Sequence, residues 1–191
     1  MPAPARTSID AIVHAGQRIL EAEGIDGLTM RRVAVEVGVR APSLYKHVRD
    51  RDHLVRLVAT AVLADLTQAL AASIRGVSPG DDLAALAAAY RAFGHARPGA
   101  FALLLARVPQ DQRVDAEVNR RAAEPVLRVA AALAGPGDAL AAARLLTAWA
   151  SGFVSMELAG AFRLGGDPDA AFHFGVERLV VALGQRGARR R

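Results

Sequence analysis

Apolar residues recur three and four positions apart along most of the chain, which is the spacing of one face of an α-helix. The first such stripe predicts a helix over 8–23 that ends at Gly24. A second, short helix is expected over 30–36 with Thr29 as its N-terminal cap, and Gly38 supplies the turn after it. A third begins at Pro42, because proline suits the first turn of a helix.

A long fourth helix is predicted from a cap at Asp50 or Asp52 to about Ser73. After a loop over 75–82, the helical pattern returns, and proline and glycine mark its breaks. The remaining helices are expected over 83–95, 98–107, 112–133, 138–163 and 168–183. Pro125 should kink or split the third of these, since an internal proline breaks the helical hydrogen-bond ladder.

No sustained alternation of polar and apolar residues predicts a strand. The chain is therefore expected to be all-α with about nine helices: a three-helix head, a linking helix and a five-helix body. The corresponding domains are 1–50, 51–74 and 75–191. Of these 191 residues, 52% are hydrophobic, which is ample for a core.

Charge is concentrated in the head. The chain carries a net charge of +5, and residues 28–51 alone hold six basic and two acidic side chains. Such a surplus suits an anionic partner. The chain has no cysteine, which excludes disulfides and thiolate metal sites, and neither a metal nor a cofactor is expected.

The second and third helices, joined by a tight turn, have the layout of a helix-turn-helix that reads the DNA major groove. Leu44 and Val48 should face the core, so that Ser43, Lys46 and His47 project outward beside Tyr45. The expected DNA-contacting residues are Arg31, Arg32, Ala41, Pro42, Ser43, Tyr45, Lys46, His47 and Arg51. Arg31 and Arg51 are placed for backbone phosphates.

The runs 27–34, 38–39 and 42–51, followed by Leu54, resemble the N-terminal domain of TetR-family transcriptional regulators. The resemblance implies that positions 31, 41–43 and 45–47 contact DNA and that Arg51 stands where a lysine binds phosphate. It departs at Ala41, where some members carry a base-reading polar side chain. Residues 149–162 are similar to members with a Trp/His-Gly motif, although Ser151 replaces the histidine.

A two-fold dimer is expected, because two heads about 34 Å apart read successive turns of one groove. The last two long helices would form a four-helix bundle with those of a partner, or both faces are intramolecular core. The predicted interface comprises Ala148, Gly152, Ser155, Ala159, Phe172, Val176, Leu179, Val180 and Leu183.

The resemblance also implies a small effector bound inside the body, and an apolar pocket would suit an apolar molecule. The candidate lining is Tyr90, Phe93, Phe101, Leu104, Arg107, Trp149, Phe153, Met156 and Glu157. Each of these can equally be a core residue. The overall expectation is a cytoplasmic, ligand-responsive repressor that acts as a homodimer on a pseudo-palindromic operator.

Two other functions stay open. The head could serve a protein-interaction adaptor that does not bind DNA, although the basic surplus argues against it. An enzyme is not expected, because the five histidines lack metal spacing and no nucleophile elbow or phosphate loop is present. No membrane partner is expected either, since the apolar run 145–162 carries Glu157 in its middle.

Overall fold

The computed structural model describes residues 8–189, with side chains up to residue 184, and this part of the chain contains ten α-helices and no strand. The predicted all-α class is confirmed. The helices are α1 (Ile9–Gly27), α2 (Met30–Val37), α3 (Ala41–Leu44), α4 (Arg51–Ser73), α5 (Pro79–Ala96), α6 (Pro98–Leu105), α7 (Ala116–Ala122), α8 (Glu124–Ala134), α9 (Ala139–Leu158) and α10 (Pro168–Arg189). A single 3-10 turn covers Gln110–Gln112.

The chain forms two compact units whose limits differ from the predicted domains. The first unit holds the chain up to residue 65 together with 97–119, and the second holds 66–96 together with the chain from 120 onward. Helix α4 passes from one unit into the other at residues 65 and 66. The segment that contains α6 was expected in the body, but it packs on α1 in the first unit.

Local capping explains where α2 and α4 begin. Thr29 accepts a hydrogen bond from the amide of Arg32 at 3.2 Å, and Asp50 accepts one from the amide of His53 at 2.7 Å. Both residues were predicted as caps, and both satisfy amide groups that the first turn of a helix leaves without partners. Helix α1 kinks at its predicted end, Gly24, and continues to Gly27.

The core of the first unit is made by one face of α1 and one face of α4. Ile12, Leu54, Val55, Val58 and Val62 are completely buried there. This burial accounts for the apolar character of α4, which is long and apolar enough, by length and composition, to cross a membrane. Helix α9 passes the same weak test.

The N-terminus of α6 is held against α1 by an unusually close approach. The amides of Gly99 and Ala100 donate to the Glu21 carboxylate at 2.9 and 3.1 Å, so a residue of α1 caps α6. A Cβ atom on Gly99 would lie 2.4 Å from the carbonyl oxygen of Leu20. Only glycine therefore fits this contact between two helices.

Arg97, directly before α6, adds ion pairs to the same contact. Its guanidinium donates to Asp65 of α4 at 2.6 Å and lies 3.6 Å from Glu21. Ala100 and Phe101 behind it are buried. Three helices of the first unit thus meet at one polar junction.

The predicted helix 112–133 is split just before Pro125 into α7 and α8, as the proline predicts. Helix α9 ends at Leu158, five residues before its predicted end. The reason is that Gly160 adopts a positive φ of 60° and the amide of Ala161 bonds back to the carbonyl of Met156.

An ion cluster joins α5, α9 and α10. Arg91 donates to both carboxylate oxygens of Glu157 at 2.8 and 2.5 Å and to Asp169 at 2.5 Å. His95 lies 3.2 Å from Glu157, whose side chain is only 6% exposed. The hydrogen bonds from Arg91 lower the pKa of Glu157, and the hydrogen bond with His95 lowers it further. Burial of the carboxylate raises this pKa and opposes both effects.

Substituting Gly99→Ala should destabilise the first unit by about 1–3 kcal/mol, because the added methyl group meets backbone that cannot rotate away. Gly137→Ala is the matched control, since a Cβ there meets nothing within 4 Å. Urea denaturation of both variants checks this expectation. Equal stability of the two would show that the α1–α6 approach is not tight in solution.

Substituting Glu157→Gln should lower the free energy of unfolding by about 2 kcal/mol at pH 7. The folded-state pKa of Glu157 is depressed, so its contribution is complete above the unfolded value of about 4.3 and is lost as pH falls below it. The difference in stability between wild type and variant should therefore shrink as pH falls from 5 towards 3 in denaturation experiments. A difference that stays constant over that range would contradict the ion-pair explanation.

Candidate DNA-binding surface

The turn between α2 and α3 is set by Gly38. It adopts a left-handed conformation with φ 76°, and the amide of Val39 returns to the carbonyl of Ala34 at 2.9 Å. This is the usual way for a helix to end on glycine, because a side chain at such a φ would be strained. Helix α3 then begins after Arg40, with Pro42 in its first turn as expected.

The predicted recognition helix is shorter than a regular one. Helix α3 covers four residues, and 45–47 form a further turn in which the amides of His47 and Val48 both donate to the carbonyl of Leu44. Leu44 and Val48 are buried, which confirms the inward face predicted for them. The donors expected to read DNA therefore project from one short helical segment.

On the outer side of this segment, Tyr45 is 56% exposed and Lys46 is exposed. Pro42 is exposed as well, whereas Ser43 and His47 are half-buried. Ala41 is also half-buried and offers only a methyl group. The most accessible hydrogen-bond donors of the segment are thus a phenol and an ammonium.

Two of the arginines predicted to contact DNA are engaged inside the head instead. Arg51 donates to the carbonyls of Ile25 and Leu28 at 2.8 and 3.0 Å, where α1 ends and leaves carbonyl groups without helical partners. Arg32 pairs with Glu23 at 2.7 Å and with Glu36 at 3.1 Å. Both side chains therefore have partners within the head, and their contact with DNA stays a prediction.

Four other basic residues of the head remain uncompensated. Arg31, Arg40, Lys46 and Arg49 are exposed, and within the described residues none of their side chains forms an ion pair. Hydrogen bonds from Arg18 and Arg32 hold the pKa of Glu36 below its usual value, so this carboxylate is already neutralised by other residues. The positive charge of the head is therefore left on these four side chains.

Arg40 and Arg49 were counted in the charge of the head but were not predicted as contacts. Glu36 lies four residues before Arg40, but Arg40 follows the turn at Gly38, so the two are not neighbours on one helix and their spacing predicts no pair. In the structure Glu36 is occupied by Arg18 from α1, and no local signal shows that.

The predicted effector pocket is not assembled as one set within either unit. Phe101, Leu104 and Arg107 belong to the first unit, and the other six residues belong to the second. In the second unit, Trp149 and Phe153 pack on Phe172 in an aromatic cluster, with ring centroids about 5.1 Å apart.

Polar groups near that cluster form hydrogen bonds with each other. The Tyr90 hydroxyl lies 2.7 Å from the hydroxyl of Ser151, and Glu157 is held by Arg91. Phe93 is buried, and Met156 is 46% exposed. A cleft of about 580 Å³ does lie within the second unit between α5 and α10, but none of the nine predicted residues lines it.

The predicted dimer interface divides into two groups. Ala148, Gly152, Ser155 and Ala159 all lie exposed on α9 and just after it, on one face. In contrast, Phe172, Val176 and Leu183 of α10 are buried within their own chain, because they pack against the other helices of the unit. They are not accessible to a second copy.

The large apolar side chains that α10 does expose are Phe174, at 63%, and Val181, at 46%. Leu179 and Val180 are half-buried. Along α9, Leu145 and Met156 are exposed near the small-residue face. The exposed apolar surface of the second unit therefore includes α9 and the 174–181 part of α10.

Comparison with known proteins places both parts of the chain. Residues 12–58 match bacterial regulatory proteins of the tetR family, and residues 83–179 match the tetracyclin repressor-like C-terminal domain. The first match covers the head described above, and the second covers most of the helices that form the second unit.

An uncharacterized HTH-type transcriptional regulator of Mycobacterium tuberculosis is 32% identical over 186 residues, which cover 96% of this chain and 84% of that protein. The class E tetracycline repressor of Escherichia coli is 37% identical over 60 residues, or 31% of this chain and 28% of the repressor. Among solved structures, a protein of unknown function from Rhodococcus sp. RHA1 superposes with a TM-score of 0.79 at 26% identity, covering 96% and 99% of the two chains.

The helix-turn-helix head, the all-helical fold and the two family matches lead to one conclusion: this chain belongs to the TetR family of helix-turn-helix transcriptional regulators.

Proposed function

We propose that this regulator is a homodimeric repressor that binds a pseudo-palindromic operator and is released by a small molecule. The observation that carries the proposal is the selective exposure of charge in the head. Arg32 and Arg51 are engaged by protein groups, whereas Arg31, Lys46, Arg40 and Arg49 are left to an anionic partner.

In this proposal, base contacts come from the short segment around Tyr45 and Lys46. Lys46 can donate to a guanine edge or to phosphate, and the Tyr45 ring can lie on a sugar or on a thymine methyl group. Arg31 lies in the first turn of α2, where the helix dipole also favours phosphate. Few side chains here can read bases directly, so backbone contacts should contribute much of the affinity.

A second copy of the chain is the proposed partner of the exposed α9 and α10 face. Small side chains at 148, 152, 155 and 159 let another helix approach closely, and exposed Phe174 and Val181 supply apolar area beside them. A two-fold axis through this face would present two heads to one groove of DNA.

Ligand control is supported by relatives such as the class E tetracycline repressor, whose name gives both a ligand and an action. An effector releases DNA only if it binds the DNA-incompetent state more tightly. Helix α5 ends one residue before Arg97, which pairs with Asp65 and Glu21 in the first unit. We propose that a ligand that binds α5 affects the first unit through Arg97.

The two rival functions are separated by one assay. A DNA-free adaptor should give no gel shift at low salt with any fragment upstream of its own gene, whereas the regulator should shift at least one. An enzyme would be reconsidered only after that failure, by turnover assays on candidate metabolites. As a DNA-binding regulator, the protein is proposed to act in the cytoplasm.

Substituting Lys46→Ala or Tyr45→Ala should weaken operator binding by about tenfold each, since a good base contact contributes about 1–3 kcal/mol. Arg75→Ala removes an exposed cation of the second unit and is the control, with an expected effect below twofold. Gel-shift titration at fixed salt measures the affinities. Wild-type binding by both head variants would show that this segment does not read DNA.

Lys46 is the only lysine of the chain, which provides an independent measurement. Amine acetylation should modify Lys46 readily in the free protein and slowly in the operator complex, because bound DNA shields it. Mass spectrometry of the peptide that contains Lys46 gives both rates. Equal rates would place Lys46 outside the DNA contact.

Substituting Gly152→Arg should convert a dimer into a monomer, because a long charged side chain cannot be buried in the proposed interface. A Cβ at Gly152 meets nothing within 4 Å of its own chain, so the fold should tolerate the change. Gly137→Arg, equally open, is the control and should remain dimeric. Sedimentation velocity distinguishes the two, and a dimeric Gly152→Arg variant would place the interface elsewhere.

A further inference from the structure

The cleft between α5 and α10 has a volume of about 580 Å³, within the range of small-molecule sites. One wall is a row of alanines spaced by one helical turn on α5, Ala84, Ala88 and Ala92. Val176 of α10 faces them and is almost fully buried. These side chains give the cleft an open apolar seat, in which the alanines are exposed and Val176 is buried.

The charges around this seat are unbalanced. Arg91 lines the cleft, but its guanidinium is already bonded to Glu157 and Asp169. Two carboxylates against one guanidinium leave an excess of negative charge, and Glu177 at the edge of the cleft adds another. Arg178 lies 3.9 Å from Glu177 and offsets its charge in part, so that three carboxylates stand against two guanidinium groups.

The two histidines of the cleft are hydrogen-bonded to acceptors of the protein. The Nδ1 atom of His173 lies 2.7 Å from the carbonyl oxygen of Asp169, and a carbonyl only accepts, so this nitrogen carries the proton. The Nε2 atom of His95 lies 3.2 Å from the Glu157 carboxylate and carries its proton for the same reason.

We infer that this cleft binds a small amphipathic cation, with its ammonium group near Asp169 and Glu177 and its apolar part on the alanine row of α5. Charge complementarity favours a cation over an anion, because Arg91 would have to break its hydrogen bonds to two carboxylates in order to bind an anionic ligand. The selection also runs against the net charge of +5 of the whole chain, which favours anions non-specifically.

The site itself is independent of DNA, and its regulatory role rests on the proposed function. Five of the lining residues that carry the argument belong to α5, whose last turn leads into Arg97. A ligand seated there is the effector if its binding changes operator affinity.

Binding can be measured on the full-length protein without DNA. Trp149 is the only tryptophan of the chain, and it stacks on Phe172 with ring centroids 5.1 Å apart. Because Phe172 lines the cleft, the fluorescence of Trp149 reports whether the cleft is occupied. The probes are 4-phenylbutylammonium and 4-phenylbutyrate, which share an aromatic and alkyl skeleton but carry opposite charges. Calorimetry with the same pair gives the affinities. We expect at least tenfold tighter binding of the ammonium, and equal or tighter binding of the carboxylate would overturn the inference.

Two pairs of variants locate the site. Glu177→Gln should weaken ammonium binding three- to tenfold, whereas Glu124→Gln, the same change on an exposed residue of α8, should leave it unchanged. Ala88→Met should fill the seat and abolish binding, while Ala132→Met, on the exposed side of α8, should not. Equal effects within either pair would overturn the cleft as the binding site.

Operator titrations with and without the ammonium probe then separate the two proposals. Weaker operator binding in wild type, absent in Ala88→Met, supports the cleft as an effector site. Unchanged operator affinity at saturating ammonium would overturn the effector role, while the measured cleft binding stands. Failure to bind any operator at all would count against the proposed function and leave the ligand measurements valid.

Discussion

The close approach of α6 to α1 is the contact on which the organisation of this regulator depends. Gly99 and Ala100 place their amides on Glu21, and no side chain larger than hydrogen fits at Gly99. Because of this contact, a segment that follows α5 in sequence is built into the same unit as the DNA-binding head. The consecutive helices α5 and α6 therefore belong to different units, and Arg97 is the residue between them.

The head shows how protein contacts decide which cations are available to DNA. Six basic residues lie between Leu28 and Arg51, and sequence alone does not rank them. Carbonyl groups at the end of α1 engage Arg51, and Glu23 and Glu36 engage Arg32. A guanidinium that must first leave such partners gains less from a phosphate, so the uncompensated cations are the better candidates for contact.

Local chemistry made much of the fold predictable. The caps at Thr29 and Asp50, the turn at Gly38 and the break before Pro125 each depend on residues within one helical turn, and each is found where the sequence places it. The helix-turn-helix and its inward residues Leu44 and Val48 follow from the same local patterns. The family resemblance was readable because its residues are contiguous.

What the sequence did not reveal depends on contacts between distant residues. Arg51 meets carbonyls more than twenty positions away, and Glu21 caps a helix about 78 positions later. The apolar stripe of α10 predicts an interface, but Phe172, Val176 and Leu183 pack inside the chain, since a helical period does not say which neighbour covers a face. The cleft of the second unit combines α5 and α10, which no spacing within either helix relates.

Selection of binding sites from a random DNA library, followed by sequencing, tests the central claim most directly. A dimer whose heads read successive turns of one groove should enrich two inverted half-sites whose centres are about one helical turn apart. The enriched DNA should be bound by two copies of the chain and not by the Gly152→Arg variant at the same concentration. Enrichment of single, unpaired half-sites, or of no sequence at all, would contradict the account.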